Sequence, residues 1–125
     1  KKRPLSSMTP TIIFKDGNPY LVLGSPGGSR IITTVLQVAL NVIEHDMNVK
    51  QAVISPRIHH QWLPDVLLLE EGFSSDTISL LEERGHKIKP SWTMGSVQAI
   101  LRKDNYFYGA ADPRRPSSGA VAVSP

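Results

Sequence analysis

Eight residues, Leu23-Gly24-Ser25-Pro26-Gly27-Gly28-Ser29-Arg30, lie between the apolar run YLVLG at 20–24 and a long apolar run that begins at Ile31. Adjacent glycines at the entry to a helix present backbone N–H groups unobstructed by Cβ atoms, close to the positive end of the helix dipole. Such a loop suits a phosphate, a carboxylate or the transient oxyanion of an acyl transfer. Two phosphate patterns can be tested by position. A dinucleotide fingerprint starting at Gly24 requires glycine at 26 and 29, where the chain has Pro26 and Ser29. A Walker A loop starting there requires Gly-Lys at 29 and 30, where the chain has Ser29-Arg30. Both fail. Gly27 and Gly28 remain either an anion-binding pair or a tight turn that needs glycine geometry. A second pair, Ser6-Ser7, could clamp a carboxylate through two hydroxyls and fix a substrate's pose. Taken alone, it reads more readily as an ordinary turn or cap pair.

Other reactive residues fit structural roles better. Thr9, Thr11, Thr33 and Thr34 are internal, and Thr33 and Thr34 fall within a helical stripe. Ser6 and Ser25 lack the G-x-S-x-G context of a nucleophile elbow. His59 and His60 are sequence neighbours, so on a strand they point to opposite faces and cannot share one ion. No HExxH spacing accompanies them, and a structural pair, one ring packed and one hydrogen-bonded, is preferred. Asp112-Pro113-Arg114-Arg115 reads as a turn with a salt link at the subunit surface. Trp62, Tyr106, Phe107 and Tyr108 read as core or interface residues rather than a stacking platform.

The elements that must hold these residues follow from pattern. TIIFKD at 11–16 and YLVLG at 20–24 are β-rich and flank the turn signal Gly17-Asn18-Pro19, which predicts a hairpin. From Arg30 to Asp46 the polar residues Arg30, Thr33, Thr34, Gln37, Asn41, Glu44 and His45 fall on one narrow helical stripe. The remaining positions are apolar, so the spacing predicts a helix buried on most sides. Asn48 is a natural N-cap for a short helix over 49–55, closed before Pro56. RIHHQW and VLLLEE predict short strands. Ser74 or Ser75 caps a helix that Gly85 ends. HKIKP, VQAILRK and NYFYGAA predict three more strands, the last two joined at Asp104-Asn105. The tail PRRPSSGAVAVSP reads as loop or a final short strand. The class is α/β in the α+β sense, with antiparallel hairpins in a layered arrangement.

Composition narrows the function. The 125 residues carry a net charge of +3, and the excess is accounted for by Lys1, Lys2 and Arg3. The rest is near balance, which argues against a nucleic-acid footprint. No cysteine is present, which rules out disulfides and thiolate metal sites within these residues. No apolar run approaches the roughly 18 residues of a membrane span. The sequence opens with KKRP and no methionine, so Lys1 is expected to mark a processing or artificial boundary.

Several unusual words then occur in order: RPLSSMTPTIIFKDG, LVLGSPGGSRIITTVLQ, SPRIHHQWLPD, GHKI, MGSVQAI and YGAADPR. Over nearly the whole chain, this series resembles the C-terminal part of the small subunit of γ-glutamyltranspeptidases, which are N-terminal-nucleophile hydrolases. The resemblance implies a four-layer αββα sandwich, with residues 1–125 a non-independent piece supplying part of the sheets and one helical layer. It implies a precursor that cuts itself to expose a threonine, which attacks a γ-glutamyl amide such as glutathione. The γ-glutamyl-enzyme then passes its acyl group to water or an acceptor amine, with no metal or organic cofactor. By the same resemblance, Gly27 and Gly28 supply the oxyanion-hole N–H groups, and Ser6 and Ser7 bind the substrate's α-carboxylate. The nucleophile and the residues that hold the α-amino group belong to the upstream segment of the small subunit. A carboxylate-binding arginine belongs to the large subunit. Those two pieces are the implied partners, and the chain alone is expected to be inactive. A periplasmic or secreted location is implied. The alternatives are a related acylase or poly-γ-glutamate transpeptidase of the same fold, and a non-catalytic anion-binding module.

Overall fold

A computed structural model describes residue 2 and residues 9–122. Strands β1 (Thr11–Lys15) and β2 (Asn18–Gly24) form the expected hairpin. The turn itself is Asp16-Gly17, with φ of 51° and 75°. Two consecutive positive φ values match the right-handed twist of the strands it joins. The turn therefore precedes Asn18 and Pro19, which open β2. Pro19, lacking an N–H, pairs opposite Phe14, where the ladder shifts register between Ile13 and Phe14.

Helix α1 (Ile31–Ile43) is followed by the short helix α2 (Val49–Ile54). The Asn48 side chain caps α2 as the sequence predicted, accepting the Gln51 N–H at 2.9 Å. RIHHQW and VLLLEE contract to the short strands β3 (Ile58–His59) and β4 (Leu67–Leu69). Helix α3 (Ser75–Glu83) is capped by Ser74, whose Oγ accepts the Thr77 N–H at 3.2 Å. Strands β5 (Ile88–Pro90), β6 (Gln98–Lys103) and β7 (Tyr106–Ala111) complete the order. Asp104 and Asn105 make the β6–β7 turn with φ of 51° and 64°. Between Ala111 and residue 122 the chain makes turns and no strand.

Two sheets result. The larger is antiparallel, in the order β1-β2-β6-β7; the smaller, β3-β4-β5, pairs β3 and β4 antiparallel and β4 and β5 parallel. The parallel pair needs a crossover, and α3 provides it. Helices α1 and α2 cover one face of the larger sheet. Leu21 and Leu23 of β2, Ala99 and Leu101 of β6 and Ala110 of β7 meet Val35, Val38, Val42, Ala52 and Val53 in the main core. On the opposite face Ile12, Val22 and Ile100 stand in one row across three strands and are exposed. Side chains alternate between faces along a strand, so the sheet is apolar on both sides while these residues cover only one.

Helix α1 departs from the prediction of burial on most sides. Its outward ridge is Ile32, Leu36, Leu40 and Ile43, with Ile32 at 72% exposure. The polar stripe faces protein instead. Gln37 pairs with both backbone groups of Ile58, accepting from N–H at 2.9 Å and donating to C=O at 2.8 Å. Asn41 donates to the Ala52 carbonyl, and Thr34 is fully buried. Backbone groups left over by the short β3 and α2 need partners, and amide side chains on α1 supply them. Periodicity locates a stripe but does not say what lies against it. The aromatic residues Trp62, Tyr106, Phe107 and Tyr108 are likewise exposed, which corrects the core half of the sequence reading.

Candidate functional site

The glycine loop is built by its two neighbours. Strand β2 buries Leu23 and ends at Gly24; a single 3₁₀ turn, Gly28–Arg30, then leads into α1. The turn is closed by the Arg30 N–H, which donates to the Gly27 carbonyl at 3.1 Å. Gly27 has φ 147° and Gly28 has φ 60°, values that L side chains rarely adopt. A Cβ on Gly27 would also stand 3.5 Å from the Gly95 Cα. Among the described residues, neither the Gly27 nor the Gly28 N–H donates to a protein acceptor. No acidic residue lies in the first turn of α1 and no side chain caps it. The helix end is thus electropositive, with two amides free to receive an anion.

Two sets of contacts hold this loop. On one side lies the irregular segment 94–97. The Ser25 hydroxyl donates to the Pro26 carbonyl at 2.7 Å and accepts the Ser96 N–H at 2.9 Å. On the other side, Ser29 Oγ donates to Gln61 Oε1 at 3.0 Å. The same oxygen lies 3.1 Å from His59 Nε2, and His59 Nδ1 lies 2.8 Å from Thr33 Oγ1. His59 is buried with both ring nitrogens engaged. His60 is exposed, with Nε2 3.2 Å from Asp65 and Nδ1 accepting the Trp62 N–H. Both rings are hydrogen-bonded, where the sequence reading expected one packed and one hydrogen-bonded.

Segment 94–97 is in turn fastened by a buried charge network. Arg57 is 1% exposed and Asp112 is 0% exposed. Arg57 donates to Asp112 Oδ2 at 2.7 Å, to the Met94 carbonyl at 2.6 Å and to the Val53 carbonyl at 2.6 Å. Asp112 Oδ2 also accepts the Val97 N–H at 2.9 Å, and Oδ1 accepts the Arg114 N–H at 3.0 Å. Glu70 accepts the Met94 N–H and two bonds from the Arg114 guanidinium. The sequence reading expected a turn with a surface salt link at Asp112–Arg115. The turn is present, but its acid is wholly buried, because Arg57 arrives from the far end of α2 to pair with it. Burial raises the cost of charge on Asp112, yet the donors Arg114 N–H, Val97 N–H and Arg57 outweigh it. Its carboxyl is held below the ordinary aspartate value. Burial pulls Arg57 below its ordinary value against the pull of Asp112. Burial also acts to lower Arg114, but its bond to the Glu70 carboxylate raises it overall.

Of the four site residues expected from sequence, Gly27 and Gly28 lie together on this loop. Ser6 and Ser7 lie outside the described residues. Sequence reasoning passed over Arg57, Glu70, Gly95 and Ser96. Arg57 follows Ser55-Pro56 and Glu70 follows three leucines; a charge abutting an apolar strand was the available signal.

The model of the family described as Gamma-glutamyltranspeptidase matches residues 1–122. This chain belongs to that family. It is 59% identical over 114 residues to the glutathione hydrolase proenzyme of Escherichia coli K12, covering 90% of this chain and 20% of that protein. Among solved structures, it is similar to the Helicobacter pylori γ-glutamyltranspeptidase T380A mutant: TM-score 0.86, 52% identity, 91% of this chain and 64% of that one. The Pseudomonas nitroreducens γ-glutamyltranspeptidase complexed with L-DON gives TM-score 0.86 at 38% identity over 98% of this chain and 65% of that one. The chain spans about a fifth of the length of the curated relatives it matches. The α+β architecture is that of the family's N-terminal-nucleophile hydrolase structures.

Proposed function

We propose that this chain is the part of a γ-glutamyl transferase/hydrolase that receives the developing negative charge of acyl transfer. The assembled enzyme would cleave γ-glutamyl amides such as glutathione through a γ-glutamyl-threonine intermediate, passing the acyl group to water or an amine. The observation that carries this reading is the Gly27-Gly28 pair: two amides without acceptors among the described residues, at positive φ, ahead of α1. In acyl transfer the carbonyl oxygen gains charge only on the way to the tetrahedral species. Preorganised N–H groups therefore favour that species over the ground state. Ser6 and Ser7 are assigned to the substrate α-carboxylate on the family resemblance. The nucleophilic threonine is assigned to the upstream segment of the small subunit. That segment and the large subunit of the same precursor are the proposed partners, and the uncovered row Ile12, Val22 and Ile100 supports a further layer over the sheet. A periplasmic or secreted location belongs to the same reading.

The test is γ-glutamyl-anilide turnover by the complete protein carrying Gly27→Ala, with mass spectrometry to verify that the precursor has processed. Alanine is strained at φ 147°, so the amide must rotate. Loss of one oxyanion donor typically lowers kcat by about 10²–10³ with KM little changed. Wild-type kcat in a folded, processed Gly27→Ala variant would overturn the oxyanion assignment and leave an anion-binding turn.

A further inference from the structure

We infer that Ser25 is a positioning residue for the reaction, and that its hydroxyl sets the direction of the Gly27 N–H. The inference rests on the oxyanion reading of Gly27. The Pro26 carbonyl and the Gly27 N–H belong to one planar peptide unit and point in opposite directions across it. Whatever holds that carbonyl also aims that N–H. Ser25 Oγ donates to the Pro26 carbonyl at 2.7 Å. The hydroxyl is itself held, because it accepts the Ser96 N–H at 2.9 Å. One serine thus uses its single proton on the loop and a lone pair on the facing segment.

Gly95 makes the close approach possible. It has φ 69°, and a Cβ there would stand 2.5 Å from Ser25 Oγ and 3.2 Å from the Pro26 carbonyl oxygen. No larger residue could face the bonded pair without displacing it. The facing segment does not drift, since Met94 and Val97 on either side of Gly95-Ser96 are fully buried and bonded to Arg57, Glu70 and Asp112. Buried charges thereby fix Ser96, Ser96 fixes the Ser25 hydroxyl, and that hydroxyl fixes the peptide whose N–H faces the oxyanion. Preorganisation of this kind matters in the transition state and not in substrate binding, so it acts on kcat.

The experiment uses the complete, processed protein with a γ-glutamyl-anilide substrate. Ser25→Ala removes the hydroxyl and is expected to lower kcat about tenfold, the loss of one hydrogen bond's worth of alignment, with KM within twofold. Ser25→Thr keeps the Oγ and should restore most of the loss. Gly95→Ala pushes a methyl into the bonded pair and should lower kcat at least as far, again with KM preserved. A Ser25→Ala kcat within twofold of wild type overturns the inference. So does a loss that threonine does not restore, or one matched by a rise in KM or a fall in Tm, because each marks a structural role. Gly27→Ala separates the two readings. If it loses kcat while Ser25→Ala does not, only the positioning role falls; if both retain kcat, the oxyanion reading falls as well.

Discussion

At the scale of single residues, the decisive groups are charges placed where charge is expensive. Arg57 and Asp112 are removed from water, and a buried pair tolerates this only when its remaining donors and acceptors are also satisfied. Here most are spent on backbone groups of Val53, Met94, Val97 and Arg114, while Arg57 Nε is buried without a hydrogen-bond partner among the described residues. Asp112→Asn leaves Arg57 charged and unpaired, and should destabilise the complete protein by about 3–5 kcal/mol, read from urea unfolding. Replacing both, as Arg57→Met with Asp112→Leu, should cost less than Asp112→Asn alone; a larger cost would contradict this account of the pair. The pH dependence has a definite sign. The folded pKa of Asp112 lies below its ordinary value of 3.8, so its contribution is complete above that value and is lost as pH falls through the lower folded one. The stability gap between wild type and Asp112→Asn should therefore stay constant from neutral pH down to about 4 and shrink below it. Under the proposed function, the glycine loop depends instead on two φ values and on one hydroxyl.

At the scale of elements, short pieces are made reliable by caps and by side chains that stand in for missing ladder partners. α2 has six residues, too few to persist without tertiary support. Asn48 caps its start, and Val49, Ala52 and Val53 anchor it in the core. Asn48→Ala should lower stability by about 1 kcal/mol, measured as a drop in Tm of the complete protein, while Asn48→Asp should be nearly neutral. Much of this level was legible in advance. The hairpin, the caps at Asn48 and Ser74, and the Asp104-Asn105 turn depend on residue types within a few positions of one another. The orientation of α1 was not legible. Burial on most sides was expected, but Gln37 and Asn41 of the polar stripe bond to Ile58 and Ala52, which lie 21 and 11 residues further on, and an apolar ridge is left exposed.

At the scale of the whole molecule, the feature that stands out is a sheet that is apolar on both faces, one covered by helices and the other, among the described residues, left open at Ile12, Val22 and Ile100. Exposed rows of branched aliphatic side chains mark contact surfaces more often than free ones. Under the proposed assembly, Ile12, Val22 and Ile100 pack against another layer of the same precursor. Ile100→Asp should then lower the Tm and the yield of processed complete protein, since burying an aliphatic side chain of this size is worth about 1.5–3 kcal/mol before the charge is counted. An unchanged Tm would show that this row stays in water. The same proposal has Gly27 and Gly28 receive charge while the attacking group comes from a segment outside these residues.

The sequence by itself determined the class, the order of elements, the caps and turns, and the glycine pair with its family signature, because all of these are written in local pattern or contiguous words. Only the tertiary structure decided which charges are buried, which face of α1 meets solvent, and what stands behind the glycine loop. Those facts join Ser25 to Ser96, Met94 to Arg57 and Glu70, and Arg57 to Asp112 across separations of 24 to 71 residues. A side chain's type states what bonds it can make. Which partner is near enough to accept them is settled when the strands and helices have packed.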